Sequence, residues 1–308
     1  MQNPSQFREL IQAMPESMPP FVSVIVPVWN SPDLVRKCLS ALAAQTYPAD
    51  SFEVLVVDNA STDTTADVVR AFSRATLLSE PRPGSYHARN TGLAHARGTY
   101  VAFTDADCIP HPDWLTAGIA AAERHGDLGI VAGRVDLFHD GGERSDACEM
   151  YERTFAFNQE KNARFGNCFT ANWISPRALL TSLGGFNGDL KSGGDFALSQ
   201  QIKKLGKPIV YEPAMIVQHP VRATFVDLAR KRRRVIGGRW RMQRRRFALL
   251  RWILICLRES AGKARDLVFH SNLPFLDKVK VGGVLVSLTF VTLLELFRIA
   301  FGGLPHRA

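Results

Sequence analysis

Between residues 21 and 104 the apolar positions alternate between two periods. Val22-Ser23-Val24-Ile25-Val26 is a β-branched run that stops at Pro27 and Asn30, as a buried strand would. Ser31-Pro32-Asp33 then opens a helix, with Pro32 suited to its first turn. Leu34, Val35, Cys38, Leu39 and Leu42 follow at helical spacing, until Tyr47-Pro48. The pattern repeats with a strand over 52–57 ending in Asp58-Asn59, a helix over 64–72, a strand over 75–78, a Pro81-Arg82-Pro83-Gly84 loop, a helix to Ala96 and a strand over 99–104. Strands and helices joined by short links predict an α/β body built on a mostly parallel, doubly wound sheet.

Farther on the pattern loosens. Strands are expected over 129–133 and 135–138, a helix over 146–158, a turn at Gly184-Gly185-Phe186-Asn187, a helix over 196–205 and a last short strand over 208–211.

The candidate chemistry sits where strands stop. Phe103-Thr104-Asp105-Ala106-Asp107 sets two carboxylates two residues apart, on one face of an extended chain. Two anions on one face repel unless a cation lies between them, and oxygen ligands suit Mg²⁺ or Mn²⁺, which also hold substrate phosphates. The plainer alternative is that Asp105 and Asp107 cap a turn before Pro110. Asp58, at the end of the second strand, is positioned to accept hydrogen bonds from a ribose or a pyrimidine N–H, while Asp63 reads as a helix cap. Neither of the first two strands is followed by GxGxxG, which argues against a dinucleotide dehydrogenase. Arg89, past the Pro83-Gly84-Ser85-Tyr86 loop, can neutralise a diphosphate or pair with the strand-end acids. Asp195 follows Gly193-Gly194 at a helix head, where capping is the competing role. His219 follows the last strand and is a candidate metal or phosphate contact.

Charge then changes the picture. The chain carries +9 over 308 residues, but residues 1–220 are net −5 and residues 221–308 net +14. A basic tail implies an anionic partner. With no recognition fold for nucleic acid visible, the anionic face of a membrane is favoured. The arginine runs Lys231-Arg232-Arg233-Arg234 and Arg244-Arg245-Arg246 flank Trp240, an apolar stretch follows over 247–257, and an uncharged run covers 281–294. A helix lying in the membrane plane, or a hairpin, is favoured over a true span, which needs about 20 apolar residues. Five cysteines without CxxC spacing fit reduced cytosolic thiols, and residues 1–20 read as a lead-in without a secretory h-region. The expected organisation is therefore a lead-in over 1–20, a catalytic body over 21–222 and a basic, membrane-associating helical tail over 223–308.

The ordered set PVWN, VVDNASTD, PGSYHARNTG, TDADC, GGD and a late His resembles the inverting family 2 glycosyltransferases of GT-A fold, over residues 22–219. The resemblance implies a Rossmann-like GT-A sheet flanked by helices. It implies that Pro27, Val28, Asn30 and Asp58 hold the nucleoside of a nucleotide-sugar (a UDP-, GDP- or dTDP-sugar), and that Arg89 lies near the donor. It implies too that Asp105 and Asp107 form the DxD motif on a divalent ion, that Asp195 is the base, and that His219 lies near the metal or diphosphate. Many relatives carry Glu-Asp where this chain has Gly194-Asp195. The QxxRW motif of processive members is matched only by Gly237-Gly238-Arg239-Trp240. Processive polymerisation is therefore not expected, while Arg239 and Trp240 are candidates for the acceptor side. The expected function is transfer of a sugar to a hydroxyl of a glycan or lipid-linked glycan, at the cytoplasmic face of a membrane, with the enzyme peripheral or held by its C-terminus. A nucleotidyltransferase and a non-catalytic membrane-anchored scaffold are the alternatives.

Overall fold

The computed structural model describes residues 18–142, 144–242, 248–269 and 271–303. Most of the expected lead-in and the run Arg244-Arg245-Arg246 lie outside them.

The first half of the body alternates as its periodicity predicts: β1 (Val22–Val28), α1 (Pro32–Ala43), β2 (Phe52–Asp58), α2 (Thr65–Arg70), β3 (Ala75–Ser79), α3 (Ser85–His95) and β4 (Tyr100–Phe103). The second half holds β5 (Ile109–Pro110), α4 (Trp114–Glu123), β6 (Ile130–Phe138), α5 (Asp146–Phe155), α6 (Gln159–Arg164), β7 (Trp173–Pro176), α7 (Arg177–Ser182), α8 (Gly194–Lys204) and β8 (Ile209–Pro220). The tail forms α9 (Phe225–Met242), α10 (Ala248–Phe269) and α11 (Phe275–Ala300).

One sheet runs in the order β3-β2-β1-β4-β7-β6-β8-β5. β1 pairs in parallel with both β2 and β4, with Val28 opposite Asp58. The strand order reverses between these neighbours, so their carboxyl ends open on one crevice. Beyond β4 the sheet turns mixed: β7 lies antiparallel to β4 and β6, while β8 runs parallel to β6. Two expectations are corrected here, and one strand is new. The two strands expected over 129–138 are one strand with a register shift between Gly133 and Arg134. The strand expected over 208–211 runs on to Pro220. β7, which no periodicity announced, fills the gap beside β4.

Alternation along β1 divides the core. Val22, Val24 and Val26 face α1, α2 and α4 on one side, whereas Ile25 faces α3, α7 and α8 on the other. Gly92 is what lets α3 lie this close: a Cβ there would sit 2.5 Å from the Ile25 side chain.

The tail is docked onto the body. Leu228 and Ala229 of α9, Leu267 of α10 and Val281, Leu285 and Leu288 of α11 share a core with Cys148 and Tyr151 of α5. Glu152, buried on α5, accepts from Arg222 Nη1 and Lys231 Nζ, both at 2.9 Å. Among the described residues α11 is the one helix long and apolar enough to cross a membrane, and 39% of its apolar window is buried in the bundle. Its other face carries exposed Phe275, Val279, Val286, Phe290, Phe297 and Phe301, which share one side of the helix by their spacing.

Candidate active site

The crevice at the ends of β1, β2 and β4 gathers the strand-end acids. Asp105 and Asp107 follow β4 and are both half-buried; their carboxylates and the Cys108 thiol offer ligand atoms within 4.8 Å of one another. Burial pushes the Cys108 thiol well up, and the two aspartates push in the same direction. Mg²⁺ or Mn²⁺, as hard cations, prefer the carboxylate oxygens to the thiol sulfur. Arg89, buried on α3, donates to Asp105 Oδ1 at 2.5 Å, and its Nε is a buried donor with no partner among the described residues.

His219, buried on β8, has Nε2 at 3.4 Å from Asp107 Oδ2. Its Nδ1 lies 2.7 Å from the Pro220 carbonyl, an acceptor only, so Nδ1 carries a proton and donates. In the neutral ring the Nε2 lone pair then looks at a carboxylate. Two facing acceptors, with a second carboxylate alongside, are a donor set suited to a divalent cation. The residues present therefore fit a metal.

The nucleoside-side candidates lie together at the ends of β1 and β2. Asn30 has φ 45°, in the left-handed region, and its Oδ1 accepts from the Thr62 amide at 2.8 Å while its own amide donates to Ser61 Oγ at 2.9 Å. Asp58 Oδ1 accepts from the Ser61 amide at 3.2 Å. The loops after the two strands are thus laced to each other, with Pro27 and Val28 beside them. The N-cap of α2 is Thr64 rather than the expected Asp63, which sits one residue earlier and accepts from the Thr65 amide and hydroxyl. Asn59, which sequence reasoning passed over, ties the Pro81–Gly84 loop to β2. Its Nδ2 donates to the Glu80 and Arg82 carbonyls and its Oδ1 accepts from Gly84.

Asp195 does not cap its helix. The N-cap of α8 is Gly193, with φ 80°, which glycine adopts at no steric cost. The Asp195 carboxylate instead accepts through Oδ1 from the Tyr86 hydroxyl (3.1 Å) and the Phe196 amide (3.0 Å). Among the described residues Oδ2 accepts nothing. Burial pushes the Asp195 carboxyl above its usual range; the Phe196 amide, Arg89 and Tyr86 hold back part of that rise. Burial also raises the Tyr86 phenol, which stays a donor. A Cβ at Gly194 would lie 2.7 Å from the Tyr86 ring. The ring of Tyr86 occupies the space that a side chain at position 194 would need. Nothing in local periodicity marks Tyr86 as part of the site, because it reaches Asp195 across 109 positions.

Arg239 and Trp240 are turned away from these acids. Arg239 Nη1 donates to Glu259 of α10 at 2.7 Å, and Trp240 packs with Ile236, Trp252, Cys256 and Leu296 inside the tail.

Against known proteins, the sequence model described as "Glycosyl transferase family 2" matches residues 23–182. The chain is 36% identical over 249 residues to glycosyltransferase AglE of Haloferax volcanii, covering 77% of this chain and 81% of that protein. A Methanococcus voltae enzyme is 23% identical over 66% of this chain and 68% of its own length. Its name describes a glucuronosyltransferase acting on a dolichyl N-acetylglucosaminyl phosphate. Among solved structures, the mannosyltransferase PcManGT of Pyrobaculum calidifontis, determined with GDP-Man and Mn²⁺, superposes with a TM-score of 0.54 at 22% identity, over 97% of this chain and 83% of that one. At that identity the likeness speaks for the fold.

Proposed function

From a chain that belongs to glycosyltransferase family 2, we propose a metal-dependent enzyme that transfers a sugar from a nucleotide-sugar to an acceptor hydroxyl with inversion. The observation that carries this reading is the convergence of Asp105, Asp107, His219, Arg89 and Asp195 from β4, β8, α3 and α8 on one crevice. The donor class is supported by the GDP-Man and Mn²⁺ of the neighbour with this fold. A lipid-linked acceptor is supported by the name of the Methanococcus relative and by the apolar stripe on α11.

In this reading Pro27, Val28, Asn30 and Asp58 receive the nucleoside, and Arg89 holds Asp105 beside the donor. Asp105, Asp107 and His219 would hold a Mg²⁺ or Mn²⁺ ion, which supplies Lewis-acid neutralisation of a departing diphosphate. Asp195 Oδ2 takes the proton from the acceptor hydroxyl as that oxygen bonds to the anomeric carbon. The bond from that carbon to the diphosphate oxygen breaks on the opposite face, and its electron pair leaves with the nucleotide. The raised carboxyl of Asp195 brings the base nearer the pH at which it works, and the Tyr86 hydroxyl keeps its orientation. The α11 stripe and the basic α9 would place the enzyme at the cytoplasmic face of a membrane, peripheral or anchored by the tail.

Asp195→Asn keeps the size of the side chain and removes the base. The expected outcome is loss of sugar transfer by at least about a hundredfold, with calorimetric binding of UDP or GDP in Mn²⁺ retained. Transfer at the wild-type rate would move the base elsewhere, and failure of the wild type to bind any nucleotide would favour a non-catalytic scaffold.

A further inference from the structure

The active-site crevice has a second wall, built by the basic tail. Two of the contacts that helix α9 makes with the body lie next to site residues. At one, Lys231 Nζ donates to buried Glu152 and stands 5.1 Å above the Phe157 ring, which packs at 4.4 Å on His219. At the other, Gly238 lies against Ser192: a Cβ there would come within 3.1 Å of the Ser192 amide, three residues before Asp195. Positions 231, 234 and 238 follow i, i+3, i+7 spacing and share one face of a helix. Arg234 therefore shares the face of α9 that carries these two contacts, within reach of the charges of Asp105 and Asp195.

Its state is unusual. Arg234 is half-buried, and among the described residues its guanidinium makes no hydrogen bond and no ion pair. Burial and the neighbouring Arg222 disfavour its charge, while Asp105 and Asp195 favour it. The neighbouring cations are committed elsewhere: Lys231 and Arg222 to Glu152, Arg232 to Thr292 and Arg239 to Glu259. A half-buried guanidinium with five unused donors, near acids it does not bond, is an incomplete site for a planar oxyanion.

We propose that Arg234 is a phosphate-binding residue, which closes the crevice from the tail side by gripping a phosphate oxyanion bidentately beside Asp105 and Asp195. This rests on the transfer reading above and deepens it, since such a phosphate has two sources: the donor's diphosphate, or a phosphate carried by a lipid-linked acceptor.

The test compares full-length wild type, Arg234→Gln, Arg234→Lys and Arg233→Gln by calorimetry, with UDP or GDP in Mn²⁺, whichever the wild type binds more tightly, as the donor-side probe and farnesyl phosphate in uncharged detergent as the acceptor-side probe. Arg233 is the exposed neighbour, so its variant matches the change in net charge without touching the crevice. Arg234→Gln should weaken binding of one probe about ten- to hundredfold, the range for charge-assisted bonds. Arg234→Lys should recover part of it as a point charge, and Arg233→Gln should match wild type. Weakened nucleotide binding assigns Arg234 to the diphosphate; weakened farnesyl phosphate binding assigns it to the acceptor. Unliganded Arg234→Gln should melt at the wild-type temperature or above, because no bond is lost, which separates the effect from misfolding. Wild-type binding of both probes by Arg234→Gln overturns the inference and leaves the transfer reading intact. A wild type that binds neither UDP nor GDP overturns the transfer reading itself.

Discussion

The join between tail and body can be tested without knowing the substrate, through Glu152. This carboxylate is buried on α5 and bridges Arg222 and Lys231 at 2.9 Å each. Burial alone would raise its pKa, but Lys231 and Arg222 outweigh burial and hold it below the usual range. Glu152→Gln leaves the two cations facing each other with no anion. Removing one partner of a buried pair costs about 3–5 kcal/mol. Arg222 and Lys231 keep 24% and 29% of their side-chain surface exposed, so water offsets part of the loss and the expectation is the lower edge, about 3 kcal/mol. At about 2 °C per kcal/mol for a chain of this size, the melting temperature should fall by about 6 °C.

The pH dependence adds a second signature. A depressed carboxyl stabilises the fold above its unfolded value of about 4.3, and that stabilisation is lost as pH falls through the folded value. Lys231 is lowered to about 8, by burial first and then by Arg222, while Glu152 pulls it back up. Between about pH 8 and pH 10 the unfolded chain binds more protons at Lys231 than the folded one, so stability there rises with pH. Without Glu152 the folded value drops further and that window opens at lower pH. Melting followed by circular dichroism at about pH 6 and pH 9 should therefore show a deficit in the variant that shrinks at the higher pH. A variant that melts within a degree of wild type, or a deficit that is the same at both pH values, would refute the bridge as the tie between α5 and α9.

Two further predictions follow from the site and the tail. Tyr86→Phe removes the hydroxyl that donates to Asp195 and helps restrain its raised carboxyl; transfer should slow by about tenfold and the acid limb of its pH–rate profile should move to higher pH. An unmoved limb would mean that Tyr86 only packs. Phe290→Glu and Phe297→Glu put charge into the exposed stripe of α11, where each buried Phe is worth about 2 kcal/mol; flotation with vesicles of mixed phosphatidylcholine and phosphatidylglycerol should lose the protein, and flotation equal to wild type would take α11 out of the membrane contact.

Local order decided a large part of this protein. The β-branched run before Pro27 and the apolar run before Asp105 announced neighbouring strands, because burial on both faces demands continuous apolar residues. The same strands had to end in polar residues, and a doubly wound sheet brings those ends together. Asp58, Asp105 and Asp107 were legible for that reason, and Asp195 and His219 through their ordered spacing behind them. Tertiary structure alone decided the rest. β7 has four residues and draws its pairing from β4 and β6, so it has no periodic signal of its own. Tyr86 reads as one aromatic near a glycine until α3 is laid against α8. Arg234 is one of five consecutive basic residues, 230 to 234; composition cannot separate them. Only the docking of α9 at Lys231 and Gly238 puts Arg234 on the contact face, commits Lys231 and Arg232 to other partners and leaves Arg233 in solvent. Periodicity reports which residues seek burial, whereas contacts between distant elements decide which polar group, once enclosed, is left without a partner.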